Sequence, residues 1–535
     1  MRLCDYAKEI NLKSRKIIEI LNKHGYDIKS HLTEIGEDLI ADFEKLKDFH
    51  SIDIDERKIN VLIVTTEALP FVRETGLADV MGSLPKELTK HNIEVSVVLP
   101  KYGLIPEHYQ SEMTFIKRFN VKVGEKDVYC GVETLKHNRV NYYFIENEFY
   151  FNRDTLYDHK DEGEMFAFFD RAVLEMLNKI NYKPDIIHLN DWYTGMIPLM
   201  YNVDYCFKEG YEEIRTIFTI HNIENQGRFD QSILTKACGV SDDYYADGTT
   251  RMNNHVNFLK TAIVTSDYVT TVSPTYAKEI QESHNGGGLH DIISFRDCKL
   301  KGIMNGINYD TYNPETDQNI FFNFTKDSIE KKVENKLSLQ DLLGLPPDET
   351  IPLIGMVTPI NEQRGMELLI NSFDALMNLG VQLVILGRGE TQYEDFFTEM
   401  EEVYPEQFQA VLSVNNELAH KIYASSDLIL MPSRFEPCGL SQMIAMRYGT
   451  IPVVREIGGL KDCIVPYNEY NMTGNGFGFR NYDPDEMIDI LNYAVTIFKR
   501  QDHWHNIMQS AMNCDFSWDH SAMEYVKLYK QVLNY

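Results

Sequence analysis

Two stretches, Ile186-Ile187-His188-Leu189-Asn190-Asp191-Trp192 and Phe218-Thr219-Ile220-His221-Asn222, share one form: a short, mainly apolar run that ends in a polar cluster, with imidazole and amide groups in both and a carboxylate in the first. A run of this length without alternation suits a strand buried on both faces, as in a parallel sheet covered by helices. Polar groups emerging at strand ends are placed to bond sugar hydroxyls, whereas a core histidine usually sits mid-element. One such end is an ordinary feature; two in one domain point to a site.

Outward from these stretches the texture repeats. Val61 to Thr65, Val95 to Leu99 and Val269 to Val272 are further β-branched runs followed by helical patterns. The pattern pauses across residues 310 to 350 and restarts with Leu353 to Val357, Leu383 to Leu386, Leu428 to Met431 and Ile451 to Val454. Two successive blocks of this kind predict an α/β protein with two doubly wound domains, at 58–310 and 311–515. The ligand site then belongs at the strand C-termini, in the cleft between them. Ahead of both blocks, residues 1–50 read as short helices. Ala7 and Ile10, then Ile17, Ile18 and Leu21, recur at helical spacing; Ser14 can cap the second helix and Gly25 can end it. Residues 51–57, SIDIDER, read as a solvated linker.

The 535 residues are 43% hydrophobic and 25% charged, ordinary globular composition that excludes disordered, collagen-like and disulfide-scaffold classes. With 52 basic and 81 acidic side chains the net charge is −29, which argues against general binding to nucleic acid or an anionic membrane surface. No apolar run approaches the roughly 18 residues of a membrane span, and charge interrupts the N-terminus where a signal peptide would be apolar. The expectation is a cytoplasmic protein. Eight scattered cysteines without a CxxC predict neither a disulfide framework nor a zinc site.

Three turns carry the chemistry. In Pro70 to Asp79 a glycine, Gly76, lies between a strand and a helix, where backbone N–H groups can meet an anion beside Arg73. In Pro432 to Ser441, Glu436 can accept hydrogen bonds from a sugar, and the N–H groups of Gly439, Leu440 and Ser441 can hold a phosphate. Gly458-Gly459 offers another close backbone approach. Other motifs read as bland: Asp53-Ile54-Asp55 is a charge run, Gly286-Gly287-Gly288 a flexible loop, and His503 with His505 lacks ligand companions.

From about Ile59 to Leu533 the chain resembles bacterial glycogen synthases and plant starch synthases, the glucosyltransferases of family five. The segments that carry the resemblance include ETGLADVMGSLPKEL, KPDIIHLNDW, IFTIHNIENQG, KGIMNGIN, LILMPSRFEPCGLSQMIAMRYGTIPVV, GGLKD and FSWDHSAMEY. It implies a GT-B fold, two Rossmann-like domains with a C-terminal helix (516–535) crossing back to the first. It further implies transfer of glucose from ADP-glucose to the non-reducing end of an α-1,4-glucan, with retention and without a metal or other cofactor. His221 then matches the histidine near the reacting carbon, Asp191 an aspartate on the acceptor side, and Glu436 the acidic residue that binds the donor's glucose. Tyr157 matches a tyrosine of the donor region and Asn305 an asparagine of the cleft; Gly439, Leu440 and Ser441 match the phosphate cradle, and Cys438 beside them is counted with the substrate-binding residues. Arg73 stands for the family's phosphate-loop lysine, and Arg364 for a second lysine.

Departures accompany the matches. Thr75 replaces a glycine, Pro359 an arginine that would contact the diphosphate, Val414 a tyrosine that stacks on adenine, and Tyr193 a histidine. Losing one buried phosphate partner costs roughly 2 to 4 kcal/mol of transition-state binding. An active synthase therefore competes with a catalytically impaired paralogue that binds glucan or regulates a partner, and with a transferase of altered nucleotide choice. Residues 2–35 resemble the small N-terminal module of bacterial translation initiation factor two, which implies docking to a protein partner of unknown identity.

Overall fold

The computed structural model describes residues 3, 6, 14–26, 28, 33, 35–54, 58–295 and 299–533. The readings that fall on Cys4, Ala7, Ile10 and Cys298 lie outside these residues.

The first block forms β1 (Ile59–Val64), β2 (Ile93–Pro100), β3 (Thr114–Val123), β4 (Lys126–His137), β5 (Val140–Glu146), β6 (Ile186–Asn190), β7 (Arg215–Ile220), β8 (Arg228–Phe229), β9 (Arg251–Met252), β10 (His255–Asn257), β11 (Tyr268–Thr271) and β12 (Leu300–Gly302). One sheet runs β12-β11-β7-β6-β1-β2-β5-β4-β3, and β8, β10 and β9 make a small second one. All pairs from β12 to β5 are parallel, and β3 and β4 add an antiparallel flap. The apolar runs form the central strands because helices cover both faces; β1 and β6 are almost wholly buried. The flap escaped the sequence reading because β3 is mostly exposed and has no apolar run.

The second block forms β13 (Leu353–Val357), β14 (Gln382–Leu386), β15 (Phe408–Val411), β16 (Leu428–Met431), β17 (Ile451–Arg455) and β18 (Phe477–Phe479), ordered β15-β14-β13-β16-β17-β18 and parallel throughout. Each large sheet has one strand from which the chain departs first to one side and then to the other. These switch points lie between β1 and β6 and between β13 and β16, where a doubly wound sheet opens a crevice at its strand C-termini.

Two crossings join the domains, and they touch. Ile307 N–H donates to Phe516 O at 2.8 Å, and Phe516 N–H to Tyr309 Oη at 2.9 Å. Gly306 is required there, since a Cβ would come within 2.8 Å of the Trp518 backbone. The closing helix, Trp518–Leu533, lies back on the first domain through Tyr529, whose hydroxyl meets His188 Nδ1 at 2.8 Å, and through a Lys301–Glu524 ion pair of 2.9 Å.

The N-terminal module contains helices Ser14–Lys23 and Glu37–Ile54 and a small core of its own, with Leu3, Tyr6, Ile17, Ile20, Leu21, Ile35 and Phe43 buried. Gly25, at φ 94°, follows the first of them. The segment read as a linker is helical as far as Ile54, and 55–57 lie outside the described residues. The loop Gly286 to Gly288 is not the flexible loop expected. A Cβ at Gly286 would lie 2.6 Å from Ile280 O, and Gly287 O accepts from Gln226 Nε2 at 2.9 Å. Among the described residues no helix is long and apolar enough to cross a membrane.

Candidate active site

At the end of β1 the chain turns through Thr65 to Gly76 around a single buried carboxylate. Glu67 accepts from the N–H groups of Glu74 (2.6 Å) and Thr75 (2.7 Å) through Oε2, and from Thr75 Oγ1 (2.8 Å) and Tyr157 Oη (2.7 Å) through Oε1. It therefore fixes the glycine turn and Tyr157 together. Thr75, where the family resemblance expects glycine, is accommodated because its hydroxyl joins this cluster. A Cβ on Gly76 would meet nothing within 4 Å, so the turn borders open space. Arg73 leaves the turn to pair with Asp79 (3.2 Å) and to donate to Asn416 Oδ1 (3.2 Å) on the second domain. Tyr193 stacks on Tyr157 at 4.6 Å and 21°, an apolar support where a histidine was expected.

Beside this turn, β6 ends in Asp191, held at φ 56°, a strained value for a residue with a side chain. Its Oδ1 accepts from the N–H groups of His221 (2.8 Å) and Asn222 (3.4 Å), which ties the ends of β6 and β7. Burial raises this carboxyl to about 7, against the pull of those two hydrogen bonds. The His221 tautomer follows from its neighbours. Asn190 Nδ2 donates to Val64 O at 3.0 Å, so its Oδ1 is the acceptor for His221 Nε2–H at 2.9 Å, and His221 Nδ1 is left with its lone pair. Burial pushes the imidazole down to about 3, so it is neutral and offers an acceptor to a hydroxyl. His188, from the same sequence cluster, is no part of this site. It is enclosed mid-strand between Thr219 Oγ1 (2.7 Å) and Tyr529 Oη (2.8 Å).

The second wall comes from the switch point of the other sheet. After β13 the turn Glu362–Arg364 presents Arg364, which pairs with the buried Glu436 carboxylate; Ser433 Oγ donates to the same carboxylate at 3.1 Å. Gly439 sits at φ 69° directly before the helix Ser441–Arg447, where Tyr423 Oη donates to Ser441 Oγ at 2.9 Å. Gly458 and Gly459 pack so tightly on this turn that added Cβ atoms would lie 1.9 Å from Glu436 O and 2.1 Å from Cys438 O. Those two glycines thus support the turn. Leu440 precedes the helix, and Cys438 is a buried free thiol, like Cys463.

The walls meet. Ile223 N–H donates to Tyr276 Oη at 3.0 Å, and the Tyr276 ring packs edge-on against Phe435 at 5.3 Å, so the His221 and Glu436 turns share a neighbour. Asp462 accepts from Ser273 Oγ (2.6 Å), Thr275 N (3.0 Å) and Thr275 Oγ1 (2.6 Å), while the Glu279 carboxylate accepts from Gly458 N–H (3.0 Å). Asn305, on the first crossing, is buried with its amide oxygen unpartnered. A buried amide oxygen without a partner at the crossing between the two domains is suited to receive a hydroxyl.

Two family models cover this architecture: the starch synthase catalytic domain over residues 60–295 and glycosyl transferases group 1 over 344–509. A glycogen synthase of Clostridium kluyveri is 47% identical over 475 residues, covering 89% of this chain and 100% of the relative. The chain belongs to the glycogen and starch synthase family. The glycogen synthase of Clostridioides difficile is 44% identical over 478 residues, with 89% and 100% covered. The catalytic domain of starch synthase IV from Arabidopsis thaliana, solved bound to ADP and acarbose, superposes with a TM-score of 0.83 at 32% identity, covering 90% of this chain and all of that one. The GT-B architecture of the family is thereby that of this protein.

Of the residues singled out in the sequence, the structure gathers Arg73, Gly76, Tyr157, Asp191 and His221 on one wall and Arg364, Glu436, Cys438, Gly439, Leu440 and Ser441 on the other, with Asn305 at the crossing. Sequence reasoning passed over Glu67 and the latch formed by Ser273, Thr275, Glu279 and Asp462. Glu67 lies in TTEALP, where nothing signals that one carboxylate gathers four donors.

Proposed function

We propose that this glycogen synthase transfers glucose from ADP-glucose to the non-reducing 4-hydroxyl of an α-1,4-glucan with retention. The observation that carries the reading is a neutral His221 acceptor at the strand C-termini of one sheet and the Arg364–Glu436 and Gly439 turn at those of the other, in a chain that matches glycogen synthases along their whole length. In the reaction the bond from the sugar C1 to the diphosphate breaks, the C1–O4 bond forms, and the acceptor's hydroxyl proton is released with ADP. In this reading Asp191 and Glu436 supply the negative charge that favours the developing positive sugar, while Arg364 and the N–H groups of Gly439 to Ser441 receive the leaving diphosphate. His221 Nδ1 and Asn305 Oδ1 orient hydroxyls. The N-terminal module serves docking, so its removal leaves transfer intact.

The test is incorporation of labelled glucose into glycogen from ADP-glucose, with UDP-glucose in parallel and His221→Ala as control. Transfer from ADP-glucose that falls by two or more orders of magnitude in the variant supports the reading. Transfer from UDP-glucose alone, or none from either donor with glucan binding retained, overturns it.

A further inference from the structure

Three loops lie side by side at the carboxyl ends of β13, β14 and β15: Thr358-Pro359-Ile360, Gly387-Arg388-Gly389 and Ser413-Val414. The first two are zipped together. Thr358 N–H donates to Leu386 O (3.1 Å), Ile360 N–H to Arg388 O (3.0 Å) and Glu390 N–H to Ile360 O (2.8 Å). The zip requires glycine on either side of Arg388, because a Cβ at Gly387 would lie 1.9 Å from Thr358 O and one at Gly389 1.8 Å from Ile360 O. Arg388 is thus the one side chain this turn can carry, mounted on a backbone locked to the Pro359 loop.

Arg388 is exposed, and among the described residues it has neither a hydrogen bond nor an ion pair from its side chain. The other arginines of these walls are engaged: Arg73 with Asp79 and Asn416, Arg364 with Glu436, Arg434 with Glu362, and Arg455 with the Arg434 and Arg480 carbonyls. The acidic side chains that follow it in sequence have other partners: Glu394 accepts from Gly389 N–H (2.7 Å) and Glu390 from Gln392 Nε2 (2.9 Å). On a chain of net charge −29, a free guanidinium held on a rigid turn beside the β13 loop, at the strand C-termini, is an unfilled anion partner. Its neighbour Pro359 has neither a charge nor a donor.

We propose that Arg388 binds the diphosphate of the nucleotide-sugar donor, taking from the β14 turn the role that Pro359 cannot take from the β13 turn. This rests on the donor being ADP-glucose. A planar guanidinium can meet two phosphate oxygens at once, so both charge and geometry contribute.

The experiment measures binding of ADP and of adenosine by calorimetry, alongside donor and glucan KM, for the full chain and for Arg388→Gln, Arg388→Lys and the double variant Arg388→Gln with Pro359→Arg. Expected results are ADP affinity lowered about tenfold or more by Arg388→Gln, adenosine affinity within about twofold, and donor KM raised with glucan KM unchanged. Arg388→Lys falls between the parent and Arg388→Gln, keeping the charge and losing the two-oxygen geometry, and Pro359→Arg restores ADP binding in the Gln background while adding little to the parent. Unchanged ADP affinity in Arg388→Gln overturns the proposal, as does equal loss for ADP and adenosine, which would place the side chain on the base. A Pro359→Arg gain of the same size in both backgrounds overturns the exchange of roles. Failure of the functional reading is separable: a parent that binds ADP through Arg388 but transfers nothing leaves this proposal standing, whereas active transfer indifferent to Arg388→Gln sinks this proposal alone.

Discussion

Replacing Glu67 tests whether one buried carboxylate sets up the donor turn. Its Oε2 receives two backbone N–H groups at 2.6 and 2.7 Å, and its Oε1 two hydroxyls at 2.8 and 2.7 Å. In Glu67→Gln the amide oxygen keeps the two N–H bonds. The amide NH2 then faces the hydroxyls of Thr75 and Tyr157, which must turn to accept, and Tyr157 can direct its proton to Thr66 Oγ1, 2.8 Å away. What is lost is the charge on two backbone bonds, about 1 kcal/mol each, or ~2 kcal/mol in all. If that energy holds the turn in its working shape, kcat/KM for the donor falls roughly thirtyfold. Glu67→Ala strands both N–H groups at about 1 to 3 kcal/mol apiece, and the loss approaches a thousandfold or more. The assay is steady-state transfer from the nucleotide sugar at saturating glucan, with thermal melting on the same samples. Glu67→Gln within about twofold of the parent in kcat/KM, or Glu67→Ala melting lower with transfer unaltered, would refute the reasoning.

The Asp191 carboxyl, raised to about 7, ionises through neutrality, so kcat/KM should climb as pH passes 7 and Asp191→Asn should lose both the activity and that acid limb. For stability the sign is opposite: the folded state holds a proton that the unfolded chain has released above pH ~4, so this group stabilises less as pH rises from 4 to 7. His188 works the other way. Burial holds it down to about 3, so the unfolded chain takes up a proton first, and stability is lost as pH falls from about 6.5 towards 3. Denaturant titrations between pH 4 and 6 should show about one proton less taken up on unfolding of His188→Gln. Asp462→Ala removes the acceptor for Ser273 and Thr275 and should raise donor KM several-fold while enlarging the radius of gyration in small-angle scattering; an unchanged radius with unchanged KM would show that the latch does not hold the domains.

What was readable in the sequence was whatever physics writes locally. Strands buried on both faces are short, mainly apolar runs without alternation, so β1, β6, β7, β13 and β16 announced themselves, and with them the positions of Asp191, His221 and Glu436. The β3–β4 flap obeys a different rule: β3 is mostly exposed, polar and apolar side chains are mixed along both strands, and pairing with the partner strand rather than composition makes each a strand. Glu67 and Asp462 were unreadable for another reason. A carboxylate's partners are decided by which loops tertiary folding brings to it, and the donors to Asp462 lie 187 and 189 residues away. His188 shows the converse error, since a histidine near a polar strand end can still be the one that anchors a helix.

The excess of acidic side chains and the binding of an anionic donor seem opposed until the distances are separated. At physiological ionic strength charges beyond about 8 Å are largely screened, so most of the −29 acts on solubility and little on the cleft. Within the cleft the balance is set by pairs: Arg364 is neutralised by Glu436, and Arg73 by Asp79. Of Arg73, Arg364 and Arg388, Arg388 alone meets a diphosphate without leaving a carboxylate; on the proposed reading Arg364 has to leave Glu436 to join it, and that release frees the carboxylate for the sugar. On that reading donor binding and exposure of Glu436 are one event, and the Arg364 pair spares the donor-free protein from holding an unpaired buried charge.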